Sequence, residues 1–186
     1  MIKIAVYGLS GAGKSSTAKL IQKYYNDKNI ETKVLKLAYP LYEIQKTFYD
    51  TAGRDIDFYA QDQILLESIA SNLRKISETS LVDNFMERLG KCTASVVIND
   101  DIRDYKIDYP VLKKEGFKFI KIFCDEALRV SRLMNRNDLS VNLKSSTTND
   151  LDKFEPNFSI DTSSSDLEIL KANVYRILDN LDRGMS

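Results

Sequence analysis

"VYGLSGAGKSS", Val6 to Ser16, is the stretch that decides the fold. Three of the chain's seven glycines, Gly8, Gly11 and Gly13, fall within six residues of it. An apolar, β-branched run over residues 2–7 precedes the glycines and reads as a buried strand. A helical pattern over residues 14–28 follows, with Ala18, Ile21 and Tyr25 near one face. Between them, Gly8 to Ser15 fits G-x-x-x-x-G-K-[ST]. A strand-to-helix turn can aim successive backbone N–H groups at phosphate oxygens only if side chains do not block the approach. Some of its residues must also adopt positive φ. The helix behind the turn presents its positive end to the same phosphates. Lys14 can then reach the β- and γ-phosphates, and the Ser15 hydroxyl can ligate Mg²⁺. At average composition the pattern arises by chance in on the order of one chain in a hundred of this length. Its position between a strand and a helix separates it from a plain glycine turn. The dinucleotide pattern G-x-G-x-x-G does not fit, which argues against a nicotinamide enzyme.

Working outward, strands alternate with helices. "TKVLKLA" (32–38) reads as a second strand and Pro40 opens a helix to about residue 50. Helical spacing runs over 59–76 and 80–90, the latter closed by Gly90. "TASVVIND" (93–100) is the clearest interior strand. A helix at 109–115 stops at Gly116, and "FKFIKIFC" (117–124) is a fourth strand. An arginine-bearing helix covers 126–136, a polar stretch over 137–153 reads as a loop or short lid, 157–161 is a short fifth strand, and 166–181 is a final amphipathic helix. This alternation implies βαβ units. The expectation is one three-layer α/β/α domain over residues 1–186, with a five-stranded, mainly parallel sheet.

Composition narrows the chemistry. The chain has 186 residues, 43% hydrophobic and 29% charged, with a formal net charge of zero. Nothing in that balance suggests a nucleic acid or a membrane surface as partner. No signal peptide or membrane-spanning run is visible, and two distant cysteines, Cys92 and Cys124, suit a reduced cytoplasmic protein. Several aromatic residues that look exposed permit a homodimer. The absence of histidine excludes Ser-His-Asp and Cys-His catalysis and leaves no ligand set for an ordinary zinc enzyme. Catalysis must run on lysine, arginine, carboxylates, hydroxyls and backbone amides.

A phosphate loop needs an acidic residue at the end of a neighbouring strand. "SVVINDD" supplies Asp100 and Asp101, either of which could serve Mg²⁺ or orient an acceptor. Arg103 follows two residues later, as an ion-pair partner or an anion ligand. Arg129, Arg132 and Arg136 share roughly one helix face. Transfer of a phosphoryl group spreads charge over three equatorial oxygens, and cations on that group would offset it. The aromatic residues Tyr39, Tyr42, Phe48, Tyr49, Phe58 and Tyr59 flank Gly53-Arg54-Asp55; they suit core packing or a pocket wall, and Arg54 is a further acceptor candidate. "SSSD" (163–166) reads as a helix N-cap.

These segments together resemble the P-loop nucleoside and nucleotide kinases, most of all the phage-type deoxynucleoside monophosphate kinases, with dephospho-CoA kinase as a neighbour. "GLSGAGKSS" is similar to the donor loop, "KLAYPLYE" to the family's F-A-x-P-L-K segment, and "QILLESIASNLRKIS" to its helix ending in a phosphate-binding arginine. "VVINDDIR" is similar to its strand ending in D-x-R, "CDEALRVSRLMNRND" to its lid helix, and "FSIDTSSSDLEIL" to the strand and loop bordering the adenine. The resemblance implies ATP and Mg²⁺ as cofactors in nucleotide metabolism. Gly8, Ser10, Gly11, Ala12, Gly13, Lys14, Ser15, Ser16 and Arg132 would bind the nucleotide. Ser15 and Asp100 would hold the metal. Lys14, Arg132, Arg136, Asp100 and Asp101 would carry the transfer. Tyr39, Pro40, Arg74 and Arg103 would bind a small-molecule phosphate acceptor, in an acceptor region over about 39–90 and under a lid over about 129–153.

Departures from the family fall on the acceptor side: Ala70-Ser71 replaces its Gly-Thr, its tryptophan is replaced by Phe85 or absent, and "DYKIDYP" stands where Pro-Asn-Glu follows the arginine. A dephospho-CoA-type kinase acting on a hydroxyl therefore stays open. So does a non-kinase P-loop switch, although no guanine-reading N-K-x-D is present.

Overall fold

The structure is a computed structural model and describes residues 1–136, 138–140, 150–164 and 166–184. Five strands, β1 (Ile2–Tyr7), β2 (Thr32–Val34), β3 (Val96–Asn99), β4 (Lys118–Phe123) and β5 (Phe158–Asp161), form one sheet in the order β2-β3-β1-β4-β5. All four pairings are parallel, with Ala5 opposite Asn99 and Tyr7 opposite Lys121. Helices connect and cover the strands: α1 (Lys14–Asn26), α2 (Tyr39–Thr51), α3 (Gln63–Ile76), α4 (Ser80–Gly90), α5 (Asp108–Lys114), α6 (Glu126–Met134) and α7 (Leu167–Arg183).

The apolar run of β1 faces two cores. Ala5 and Tyr7 join residues of α2 to α5 on one face, and Ile4 and Val6 join α1 and α7 on the other. Burial on both faces is why such strands read as continuous apolar runs rather than as alternating ones. Cys92 and Cys124 are free thiols packed against opposite cores. No helix among the described residues is long and apolar enough to cross a membrane.

Element existence and order match the sequence reading; the ends differ for local reasons. Strand β2 stops at Val34, short of Ala38, because the Leu37 and Ala38 amides donate to the Asp101 carboxylate at 2.7 and 3.0 Å instead of to the sheet. Helix α3 begins at Gln63, not at Tyr59, because Asp62 accepts from the Leu65 amide as its N-cap. Asp166 caps α7 through the Glu168 amide. Within the expected lid, residue 137 and residues 141–149 lie outside the described residues.

Strand order reverses around β1. The loops leaving β1 and β3 therefore diverge, opening a crevice at the carboxyl ends of the strands. Loop Gly8–Gly13 and Asp100 both sit at that edge.

Candidate functional site

The phosphate loop is shaped by contacts that a side chain would break. A Cβ on Gly8, at φ +152°, would lie 2.1 Å from the Ile122 carbonyl oxygen; one on Gly11, at φ +85°, would lie 2.8 Å from that of Arg129. Arg129 does not face the cleft as a phosphate ligand. It pairs with Glu126 and donates to the Ser10 carbonyl at 3.0 Å, bracing the loop from behind. Gly8 and Ala12 likewise shape the loop from within the fold; Ala12 is buried and its carbonyl accepts from Thr162 at 2.7 Å. Ser10, Gly11, Gly13, Lys14, Ser15 and Ser16 line a cavity of about 710 Å³.

Lys14 curls over this loop, its ammonium 2.9 Å from the Gly8 carbonyl oxygen and 3.0 Å from that of Leu9. Burial, followed by repulsion from Arg103 and Arg136, pushes its pKa down to about 7. A polyphosphate would supply the negative charge that these neighbours withhold.

Asp100 and Asp101 divide the work that the sequence left undivided. Asp100 is buried; one oxygen accepts from the Ser15 hydroxyl at 2.9 Å and the other meets the Lys36 ammonium at 2.7 Å. Serine hydroxyl and carboxylate are hard oxygen donors, and Mg²⁺ is held by one or two carboxylates together with phosphates and water. The pair therefore fits that ion. No described group of three or more Cys, Asp or Glu side chains offers another metal site. Asp101 turns the other way. It accepts from Leu37, Ala38 and the Asn99 amide, and burial and then Asp100 raise its pKa.

Arg132 donates to the Thr162 hydroxyl and carbonyl at 3.2 and 2.9 Å, at the mouth of the same cavity. Arg136 lines it too and pairs with Asp138. Gln63 of α3 reaches the same Asp138 at 3.2 Å.

A second cavity of about 730 Å³ opens between α2, α3 and residues 101–108. Tyr42, Gln61, Asp101 and Arg103 line both cavities, so the two meet there. Among the described residues Arg103 makes no hydrogen bond or ion pair. Arg74 is committed: it pairs with Asp104 at 3.0 Å and with Asp108 at 3.3 Å. Arg74, read from the sequence as an acceptor-phosphate ligand, lines this cavity with its guanidinium held by these two carboxylates. Glu67, Glu78, Asp101, Asp104 and Asp108 face this cavity against Arg74, Lys75 and Arg103, five carboxylates to three cations. The phosphate-loop cavity has the opposite balance, with Lys14, Lys36, Arg103, Arg132 and Arg136 against Asp100, Asp101 and Asp138.

Tyr39 and Pro40 line neither cavity; Leu37, Ala38, Leu41 and Tyr42 stand there instead. Tyr39 packs on Phe58 and under Arg88, and Pro40 sits in the first turn of α2. Of the aromatic residues, Tyr39, Tyr42, Phe58 and Tyr59 pack ring against ring, Phe48 is exposed and Tyr49 donates to Asp62; Arg54 is exposed outside both cavities. Lys36, Gln61, Gln63, Asp138 and Thr162 also line these cavities, and no spacing in the sequence marks them; Tyr42, one of the aromatic residues that suit core packing or a pocket wall, lines both.

Shikimate kinase from Bacteroides thetaiotaomicron superposes with a TM-score of 0.57 at 13% identity, covering 97% of this chain and 98% of that one. Shikimate kinase from Acinetobacter baumannii, in complex with shikimate, gives 0.55 at 15%, covering 97% and 94%. The Aquifex aeolicus enzyme gives 0.53 at 14%, covering 99% and 98%. The chain shares its fold with these three enzymes. No protein-family model and no curated protein matches the chain. The solved relatives named here are shikimate kinases rather than the monophosphate or dephospho-CoA kinases that the sequence resembles; what they share with the chain is this fold.

Proposed function

We propose that the protein is a Mg·ATP-dependent kinase of a small molecule, with residues 1–186 acting as one kinase domain. One observation carries the reading: a phosphate-loop cavity and a second, ligand-sized cavity meet at Tyr42, Gln61, Asp101 and Arg103. A nucleotide switch needs only the first cavity. The acceptor region extends past residues 39–90 to include residues 101–108.

In this reading the loop amides and Lys14 hold the β- and γ-phosphates, and Arg132 and Arg136 approach from the lid side. Ser15 and Asp100 would hold Mg²⁺, and the ion would supply charge neutralisation and orientation of the phosphates. Of the acceptor classes, a hydroxyl compound suits the second cavity better than a nucleoside monophosphate. A phosphate at Arg74 would have to break two ion pairs and enter a cavity richer in carboxylates than in cations. An acceptor hydroxyl needs a base. Asp101 lines both cavities, and hydrogen bonds from Leu37, Ala38 and Asn99 use three of its roughly four acceptor positions, leaving one for that proton. Its raised pKa favours uptake. The hydroxyl oxygen–Pγ bond forms, the bond from Pγ to the β,γ-bridging oxygen breaks, ADP leaves, and the hydroxyl proton passes to Asp101.

A nucleoside monophosphate remains the second reading because Arg103, which among the described residues makes no ion pair, lies at the junction, where its charge would meet an acceptor phosphate. Mg·ATP-dependent ADP release against nucleosides, polyols, dephospho-CoA and nucleoside monophosphates tests both. Stimulation by a hydroxyl compound supports the first reading, and stimulation only by monophosphates supports the second.

A further inference from the structure

Lys36 holds the most consequential contact at the edge where Ser15 and Asp100 meet. Its backbone is fixed on both sides. The Leu35 amide makes a last sheet bond to Ile98 at 2.8 Å, the Lys36 carbonyl accepts from Arg88 at 2.8 Å, and the Leu37 amide is held by Asp101. The side chain beyond that anchor has four rotatable bonds. It points its ammonium at Asp100 at 2.7 Å, while Asp100 is only 3% exposed and shares its other oxygen with Ser15. The Tyr59 ring lies 5.7 Å from the same ammonium, and Asp101 lies within its electrostatic reach. Burial pulls the Lys36 pKa down, but Asp101 and Asp100 outweigh it and hold the group charged.

A divalent ion held by Ser15 and Asp100 would need the Asp100 carboxylate as a ligand. The ammonium holds the same carboxylate. Two cations on one small anion repel strongly in a partly buried site. We propose that Lys36 competes with the divalent ion for Asp100, so that metal entry releases the ammonium toward the junction of the two cavities. The release adds a cation where the phosphoryl group crosses. This rests on the kinase reading for its catalytic consequence but not for the competition itself.

The test uses Mn²⁺ as the probe, followed by its electron paramagnetic resonance signal on the full chain without nucleotide. Lys36→Met should bind Mn²⁺ roughly tenfold more tightly than the wild type, and Lys36→Arg should not. Lys36→Gln keeps a hydrogen-bond donor beside Asp100 without the charge and should tighten Mn²⁺ in the same way if the methionine variant fails to fold. A damaged site would weaken both metal binding and turnover, whereas displacement predicts tighter metal with slower acceptor-dependent turnover. Unchanged or weaker Mn²⁺ binding in a folded Lys36→Gln protein would overturn the inference. Tighter Mn²⁺ in a protein that no acceptor stimulates would instead count against the kinase reading and leave the competition standing.

Discussion

Ser15 and Asp100 stand 85 positions apart in sequence and 2.9 Å apart in space, the serine hydroxyl donating to the carboxylate. Parallel pairing brings them together: with Ala5 opposite Asn99, the loop after β1 and the residue after β3 leave the sheet side by side. If this pair holds the metal, Asp100→Asn should raise the Mg²⁺ concentration for half-maximal activity by roughly 10- to 100-fold, with little change in ATP affinity measured without metal. Steady-state titration of Mg²⁺ in both proteins checks this. An unchanged Mg²⁺ requirement would remove Asp100 from the metal site.

Gly8 and Gly53 separate steric cost from backbone cost. Both have positive φ, but a Cβ on Gly8 would strike the Ile122 carbonyl at 2.1 Å, while one on Gly53 would meet nothing within 4 Å. Gly53→Ala should cost about 1–2 kcal/mol from the left-handed conformation alone. Gly8→Ala should cost several kcal/mol more, because β4 must shift away from β1. Urea unfolding of the two variants gives the comparison, and equal losses would contradict it.

Much of this was legible in the sequence because its causes are local. The glycine spacing of the loop, the apolar runs of buried strands and the breaks at Gly90 and Gly116 each act over a few residues. The acceptor side was not legible in the same way. Whether Arg74 is free or paired depends on Asp104 and Asp108, about 30 residues away, folding back on it. Tyr39 and Tyr42 belong to one helix segment and both pack against Phe58, yet only Tyr42 lines the cavities, a difference set by the fold around the helix and not by residue type. Lys36 resembles any other lysine until β2 ends early and Asp101 holds the following amides.

Asp108 provides a pH signature. Burial, opposed by Arg74, raises its pKa to about 6. The folded protein therefore keeps this proton to higher pH than the unfolded chain does. That raised carboxyl favours folding at acid pH, and its contribution is lost as pH rises from about 4 through 6. Asp108→Asn lacks the titration. Its stability relative to the wild type should improve by roughly 2–3 kcal/mol between pH 4 and pH 7. A constant difference in denaturant unfolding across that range would show that Asp108 titrates normally.

Arg74 should act first on stability. Arg74→Ala leaves Asp108 buried without its cation, a change that costs roughly 3 kcal/mol at pH 7.5. The loss should shrink near pH 5, where Asp108 carries a proton, and Asp108→Asn should suppress most of it in the double variant. Thermal unfolding of the two single variants and the double variant measures the coupling. Full stability of Arg74→Ala, with loss confined to the acceptor KM, would restore Arg74 as a substrate ligand.

The most direct measurement is ADP release from Mg·ATP across the acceptor panel, in the wild type and in Lys14→Ala. The predicted result is strong stimulation by a hydroxyl-bearing acceptor, abolished in a folded Lys14→Ala protein because several kcal/mol of transition-state stabilisation is lost. Turnover that ignores every acceptor, or that survives the Lys14 substitution, would contradict phosphoryl transfer at this loop.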